Sequence, residues 1–408
     1  MDYIKLIELT EVITKGTTPT SVGFNFEEEG DVNFVKVESF DSDGNIKLNK
    51  IAKISSDCNN ALSRSQLKEN DILFSIAGAL GRVAIVSEDI LPANTNQALA
   101  IIRLLEKNPI TINFLKYYFQ SDSILQQVNG FKGGVAQQNL SLSQIKEFNI
   151  PNIPLEEQQT IVAKLDQAFA AIDQAKANIE KNIANAKELF QSKLNQIFEK
   201  GNDNEWKLDV LKELTEVKDG THDSPSYVME GIPFITQKNI TSSGLSFENT
   251  KFIKVEDHEK FYKRSNVAVG DILISMIGAN RGMASIVNDE RIFSIKNVGL
   301  IKKGNKLLNE FLIYFLKSNK AVNYIKDSSR GGAQEFVGLT ALRSFPVLYP
   351  LNLNTQQQIV NQLDQLQEQT NLLVTKYQQK LANLEELKKS ILEKAFKGEL
   401  STTVIEKV

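Results

Sequence analysis

The sequence predicts a duplicated α/β protein: two related α+β globules, each followed by a long helix, with the helices forming an antiparallel coiled coil about a pseudo-twofold. Three observations predict it. The chain repeats itself at a period of about 200 residues. Each copy opens with short β-rich runs separated by Gly, Asn, Asp and Pro turns. Each copy closes with a long stretch, free of Pro and Gly, whose apolar residues recur every three or four positions.

The repeat runs nearly end to end. Asp71, Ile72, Leu73, Ser75 and Gly78 return as Asp271, Ile272, Leu273, Ser275 and Gly278. Glu8-Leu9-Thr10-Glu11-Val12 returns as Glu213-Leu214-Thr215-Glu216-Val217, and Asn96 and Leu99 as Asn297 and Leu300. Lys132-Gly133-Gly134 becomes Arg330-Gly331-Gly332, and Gln158 to Val162 becomes Gln356 to Val360. This period is far too long for a solenoid. A chain of 408 residues has room for two domains, each large enough to bury a core.

The elements follow in order. Residues 1–154 form the first globule, with VNFVKV, DILFSIAG and VAIV as strands and INFLKYYFQSDSILQQV as helix. Residues 155–201 form the first long helix, opening after Pro151 and Pro154 and stopping at Gly201. Residues 202–351 form the second globule, with IPFITQ, DILISMIG, ASIV and the helical NEFLIYFLKSNKAVNYI. Residues 352–400 form the second long helix, with Thr355 as expected N-cap and a stop near Gly398. Residues 401–408 are a tail.

The first helix carries Ile161, Leu165, Ala168, Ile172, Ala175 and Ile179 at heptad spacing. The second carries Ile359, Leu363, Leu366, Thr370, Leu373 and Tyr377 in the same register. At about 1.5 Å per residue each helix is roughly 65 to 70 Å long. A single apolar stripe on each needs burial, most simply against the other helix. The alternative is that each helix folds back on its own globule.

Composition excludes several classes. Hydrophobic content of 41% and charge of 24% are those of a globular protein without a membrane partner. No apolar run approaches the roughly 20 residues of a membrane span. MDYIKLIELT does not resemble a secretory leader, and the lone Cys58 permits no internal disulfide, so a cytoplasmic location is expected. The net charge of −3 opposes indiscriminate coating of DNA, allows a local basic patch, and points to other subunits sharing any DNA grip. The two histidines, His222 and His258, make no metal cluster and read as surface residues. Phosphate-loop, dinucleotide and amino-methyltransferase motifs are missing from the sequence. The expectation is a binding and scaffolding protein with no catalytic residues, metal or cofactor of its own.

Base reading needs forked donors and acceptors on segments that enter a groove. Three loops in each copy have that character. The first holds Lys15, Thr17 and Thr18, matched by Lys218, Thr221 and His222. The second, after the DIL strand, holds Arg82, matched by Asn280 and Arg281. The third holds Lys132, Gln137, Gln138 and Asn139, matched by Arg330 and Gln334. Each loop can also be no more than a turn. Two similar but non-identical halves fit a partner built the same way, such as an asymmetric two-part DNA site.

The junction GGVAQQNLSLSQIKEFNIPNIPLEEQQTIVAKLD (Gly133 to Asp166), with DILFSIAGALGRVAIV and the closing AFKGEL, resembles the specificity subunit of type I restriction-modification systems. The second copy departs from the pattern by replacing Pro-Leu-Glu-Glu-Gln with Leu-Asn-Thr-Gln-Gln. The resemblance implies two target recognition domains, each reading half of a bipartite DNA site. It implies helices that set the gap between half-sites and dock two methylation subunits, with Ile161, Leu165, Ile172, Ile179, Ile359, Leu363, Leu366 and Leu373 at the interface. It further implies S-adenosylmethionine in the methylation subunits, methylated adenines, and two restriction subunits using ATP and Mg. The competing expectation is a non-enzymatic protein-binding scaffold with a coiled-coil spacer. A single-chain nuclease or methyltransferase would need motifs this sequence lacks.

Overall fold

The computed structural model describes residues 2–41, 43–131, 139–200, 205–241, 244–278, 280–329 and 335–399. They fall into two compact units, one drawn from residues 1–179 and 379–408, the other from residues 180–378. The segments expected from sequence follow the chain; the compact units instead divide each long helix between them.

In the first unit an antiparallel sheet has the order Thr10–Lys15, Leu99–Leu104, Ile72–Ser75, Val83–Ile85. A second sheet has Val32–Val35 between Ala52–Ile54 (antiparallel) and Ala93–Thr95 (parallel). Successive strand side chains face opposite sides, so a strand covered on both faces must be apolar throughout. Ile72–Ser75 is such a strand, buried along its length. Ile72 and Phe74 join a core with the helical residues Phe114, Tyr118 and Phe119, while Leu73 joins another with Val35, Ala93 and Ile101. Asp71, at the head of the strand, is fully buried and accepts from Arg103 Nε (2.7 Å), Arg103 Nη2 (2.6 Å) and the Lys68 amide (2.8 Å). The recurrent Asp of the DIL motif is thus neutralised inside the fold.

The second unit repeats this plan. Its sheets run Val217–Asp219, Val298–Ile301, Ile272–Ser275, Ala284–Ile286 and Lys251–Ile253, Ile232–Ile235, Ser294–Ile295. Ile272 and Ile274 face one core and Leu273 another, and Asp271 pairs with Lys302. In each unit a closing strand pair brings the ends of the globule together: Tyr3–Lys5 with Asn149–Pro151, and Trp206–Val210 with Pro346–Pro350.

The long helices span Leu155–Lys200 and Leu353–Phe396. Asn352 rather than Thr355 caps the second, its Oδ1 accepting from the Asn354 amide at 2.8 Å, while Thr355 lies inside the first turn. Gly398 ends it at φ +76°, a left-handed conformation that glycine adopts without strain. In the first unit Lys176 pairs with Glu385 (2.6 Å) and Asp173 with Lys388 (3.8 Å). As one number rises the other falls, so the two segments run antiparallel.

Both packing alternatives operate together. Leu165, Ala168, Phe169 and Ile172 share one core with Ile391, Leu392, Ala395 and Phe396 and with the first globule. Phe190, Leu194 and Phe198 share another with Val360, Leu363 and the second globule. Of the expected seam, Leu165, Ile172 and Leu363 are buried and Ile161, Ile179, Ile359 and Leu366 half-buried. Leu373 is 40% exposed, contrary to expectation. Thr370 and Tyr377 stand one heptad apart, so position 373 or 374 can complete the stripe. The helix turns Val374 inward instead.

Candidate nucleic-acid interface

In the first globule, strand Thr10–Lys15 ends at a glycine that has to be one. The Gly16 amide donates to Leu99 O (3.3 Å) and the Thr17 amide to Thr95 O (3.1 Å). A Cβ at Gly16 would lie 2.0 Å from Thr95 O, so only glycine permits this approach. The chain then turns, and an open cleft of about 590 Å³ forms between Lys15, Thr17, Thr18, Ser21, Arg64 and Gln97. Thr18 Oγ1 donates to Gln97 Oε1, and Arg64 Nη2 donates to Thr17 Oγ1 at 3.2 Å. Arg64 has no carboxylate partner among the described residues. Lys15, Arg64 and Gln97 are exposed, and Thr17 and Thr18 half-buried.

The second globule builds the same turn. The Gly220 amide donates to Val298 O (2.9 Å) and the Thr221 amide to Ile295 O (3.0 Å). A Cβ at Gly220 would lie 2.3 Å from Ile295 O. Thr221 therefore matches Thr17, and His222 matches Thr18. His222 is held at both ring nitrogens, Nδ1 2.7 Å from Asn297 Oδ1 and Nε2 3.1 Å from Asp219 Oδ2. Asp219 Oδ1 accepts from Arg264 Nε (3.0 Å) and Nη2 (2.6 Å). The counterpart of Lys15 is thus Asp219, one residue from the Lys218 expected. Lys218 lies on the opposite face of the strand and pairs with Glu216 at 3.1 Å. Asn297 also lines an adjoining cleft of about 300 Å³ with Tyr227, Gln237, Lys238 and Lys296. There Gln237 Oε1 is buried without a hydrogen-bond partner.

The loops after the DIL strands diverge. Arg82 is exposed, and among the described residues only its backbone is engaged, with Ser75. Arg281 is folded inward, donating from Nε to Ser329 Oγ (2.8 Å), from Nη1 to Gly278 O (3.0 Å), and to Glu335. It is committed to holding its own loop and is not presented as a reader. Asn280 and Asn139 are exposed. Lys132, Gln137, Gln138, Arg330 and Gln334 lie outside the described residues. His258, expected at the surface, is half-buried with Nδ1 2.8 Å from Ser294 Oγ, and burial lowers its pKa.

Sequence reasoning missed Arg64, Gln97, Asp219, Arg264 and Asn297. A signal existed, because Arg64 and Arg264, like Gln97 and Asn297, stand at the repeat period. Asn96, paired with Asn297 on sequence, is displaced by Gln97 in the structural match.

A family model described as the type I restriction modification DNA specificity domain matches residues 1–185 and 203–383. The chain belongs to this family. It is 34% identical over 137 residues to the type I restriction enzyme EcoBI specificity subunit of Escherichia coli, covering 33% of this chain and 28% of that one. It is 23% identical over 309 residues to the EcoKI specificity subunit of Escherichia coli strain K12, covering 71% and 65%. The matches span 28% and 65% of the length of these two curated relatives. Two solved structures share the fold at 22% identity. One, from work on complex assembly and conformational transition of a type I R-M system, has a TM-score of 0.73 over 98% of both chains. The other, the HsdS subunit from Thermoanaerobacter tengcongensis, has a TM-score of 0.56 over 98% of this chain and 97% of that one. Among the described residues, no helix is long and apolar enough to cross a membrane.

Proposed function

We propose that the chain is the DNA sequence-reading subunit of a type I restriction-modification complex, each globule reading one half of an asymmetric bipartite site. The observation that carries this reading is the matched pair of turns. Their frames are the same, a Gly-Thr turn clamped to a neighbouring strand end, while the polar groups they carry differ: Lys15, Thr18 and Gln97 against Asp219, His222 and Asn297. A shared frame with altered polar tips is what two readers of different half-sites require.

In this reading the chain is not catalytic. Two methylation subunits carrying S-adenosylmethionine dock on it and methylate adenine, and two restriction subunits using ATP and Mg join them. The net charge of −3 favours such sharing, since a near-neutral subunit leaves much of the phosphate grip to its partners. The long helices set the gap between half-sites. The test is to purify the chain with a type I methylation subunit from the same host and map methylated adenines on random DNA. One bipartite motif, altered in one half when one globule is exchanged, is expected. A stable complex that methylates without any motif would overturn the reading.

A further inference from the structure

The two turns match in frame, but their arginines are wired differently. Among the described residues Arg64 makes one neutral hydrogen bond, to Thr17, and its side chain is otherwise exposed. Arg264 is spent on Asp219, which holds His222, which in turn holds Asn297. Each turn also holds a carboxamide: Gln97 is fixed through Oε1 by Thr18, and Asn297, at the end of the Arg264 chain, through Oδ1 by His222. A carboxamide oxygen has two lone pairs and its nitrogen two N–H groups. One lone pair is used in each case, and neither amide nitrogen has a partner among the described residues. One acceptor position and two donors remain, fixed in a fork. That fork complements the N6 amino group and N7 of adenine in the major groove.

We propose that Gln97 and Asn297 are the base-reading groups beside the two turns, each directed at an adenine edge; that Arg64 grips a backbone phosphate; and that Arg264, through Asp219 and His222, positions Asn297. The assignment rests on the DNA-reading function proposed above and deepens it. It separates two arginines that stand at equivalent places in the repeat. Arg64 adds affinity without sequence preference. Arg264 is a positioning residue whose loss is felt as lost specificity in one half-site.

The test uses the full chain in its methylating complex, selecting from duplexes randomised across the bipartite site at two salt concentrations. Gln97→Glu and Asn297→Asp keep shape while replacing the N–H donors, and aspartate tolerates the left-handed backbone at 297 (φ +51°). Each is expected to relax one adenine position, by about 10- to 100-fold in discrimination, in one half-site only. Arg64→Ala is expected to weaken all sequences equally and to reduce the salt slope by about one. Arg264→Ala is expected to reproduce the relaxation caused by Asn297→Asp, with the other half-site intact.

If the unaltered complex selects a motif but both amide variants leave it unchanged, the assignment fails while the function stands. Selective loss of one base with Arg64→Ala would overturn the phosphate role. An unaltered complex that selects no motif overturns both. Unchanged thermal midpoints in the four variants guard against loss of folding as the cause.

Discussion

Arg82 and Arg281 stand in matching loops of the repeat, though not at matching positions, and have opposite surroundings. Arg281 donates to Ser329, Gly278 and Glu335 at 18% side-chain exposure, so Arg281→Ala should cost about 2 kcal/mol in denaturant unfolding. Arg82→Ala should leave stability within about 0.5 kcal/mol. Equal losses would show that Arg82 is tied down as well. His258 provides a pH test. Burial lowers its folded-state pKa below the unfolded value of about 6.5, so the fold favours the neutral ring. As pH falls below about 6.5 the unfolded chain takes up the proton first, and the stability supplied by the neutral ring is lost as pH falls through the lower folded value. His258→Gln should flatten that acid-side slope in denaturation measured across pH. At this scale the sequence disclosed residue types and period, but not partners. Nothing in VEDHEKFYKR distinguishes a ring turned toward Ser294 from one turned to solvent.

Helix ends, more than helix middles, are what the elements fasten. Gln158 is fully buried at the start of the first long helix, accepting from the Thr111 amide (2.8 Å) and donating to Pro109 O (2.7 Å) and Ile153 O (2.9 Å). Gln356 repeats this with the Leu308 amide (2.8 Å), Lys306 O (3.1 Å) and Pro350 O (2.8 Å). Asp166 accepts from Tyr117, and Asp364 from Tyr314, each at 2.5 Å. Phe396 meets Phe114 and Tyr118 edge-on, as Phe198 meets Phe311 and Phe315. Gln158→Ala leaves buried amide and carbonyl groups unpaired and should cost about 3 kcal/mol. Phe198→Ala should cost about 3 to 5 kcal/mol, with lost amide protection confined to the second unit. Uniform loss across both units would refute that confinement. Helix existence and length were legible because a three-four apolar spacing without Pro or Gly is a long signal. The inward turn of Val374 over Leu373 was not, since a stripe read from one helix leaves its rotation free by a residue.

The first unit, taken whole, is discontinuous: its core needs Leu384, Leu387, Ile391, Leu392, Ala395 and Phe396 from beyond the entire second globule. Ending the chain at residue 378 should therefore strip hydrogen-exchange protection from the N-terminal globule and leave the nearer globule protected. Loss from the nearer globule instead would contradict the division of the helices. Inserting one turn of about 5.4 Å into both long helices should lengthen the preferred gap between half-sites, read by methylation mapping. An unchanged gap would remove the spacer role. The duplication was plain in the sequence, because similar apolar frames recur about 200 residues apart. The sharing of each helix between units was not, since periodicity records which face is buried and not whose core receives it.

Discontinuity also orders the making of the protein. A ribosome releases residues 6 to 150 long before it translates residues 391 to 396, and Phe114 and Tyr118 await Phe396 throughout that interval. The second globule meets its own aromatic plug, Phe198, already emerged ahead of it. Translation order and folding order are thus inverted: the domain synthesised first is completed last, and the nascent chain carries an open core for as long as its second half is being made.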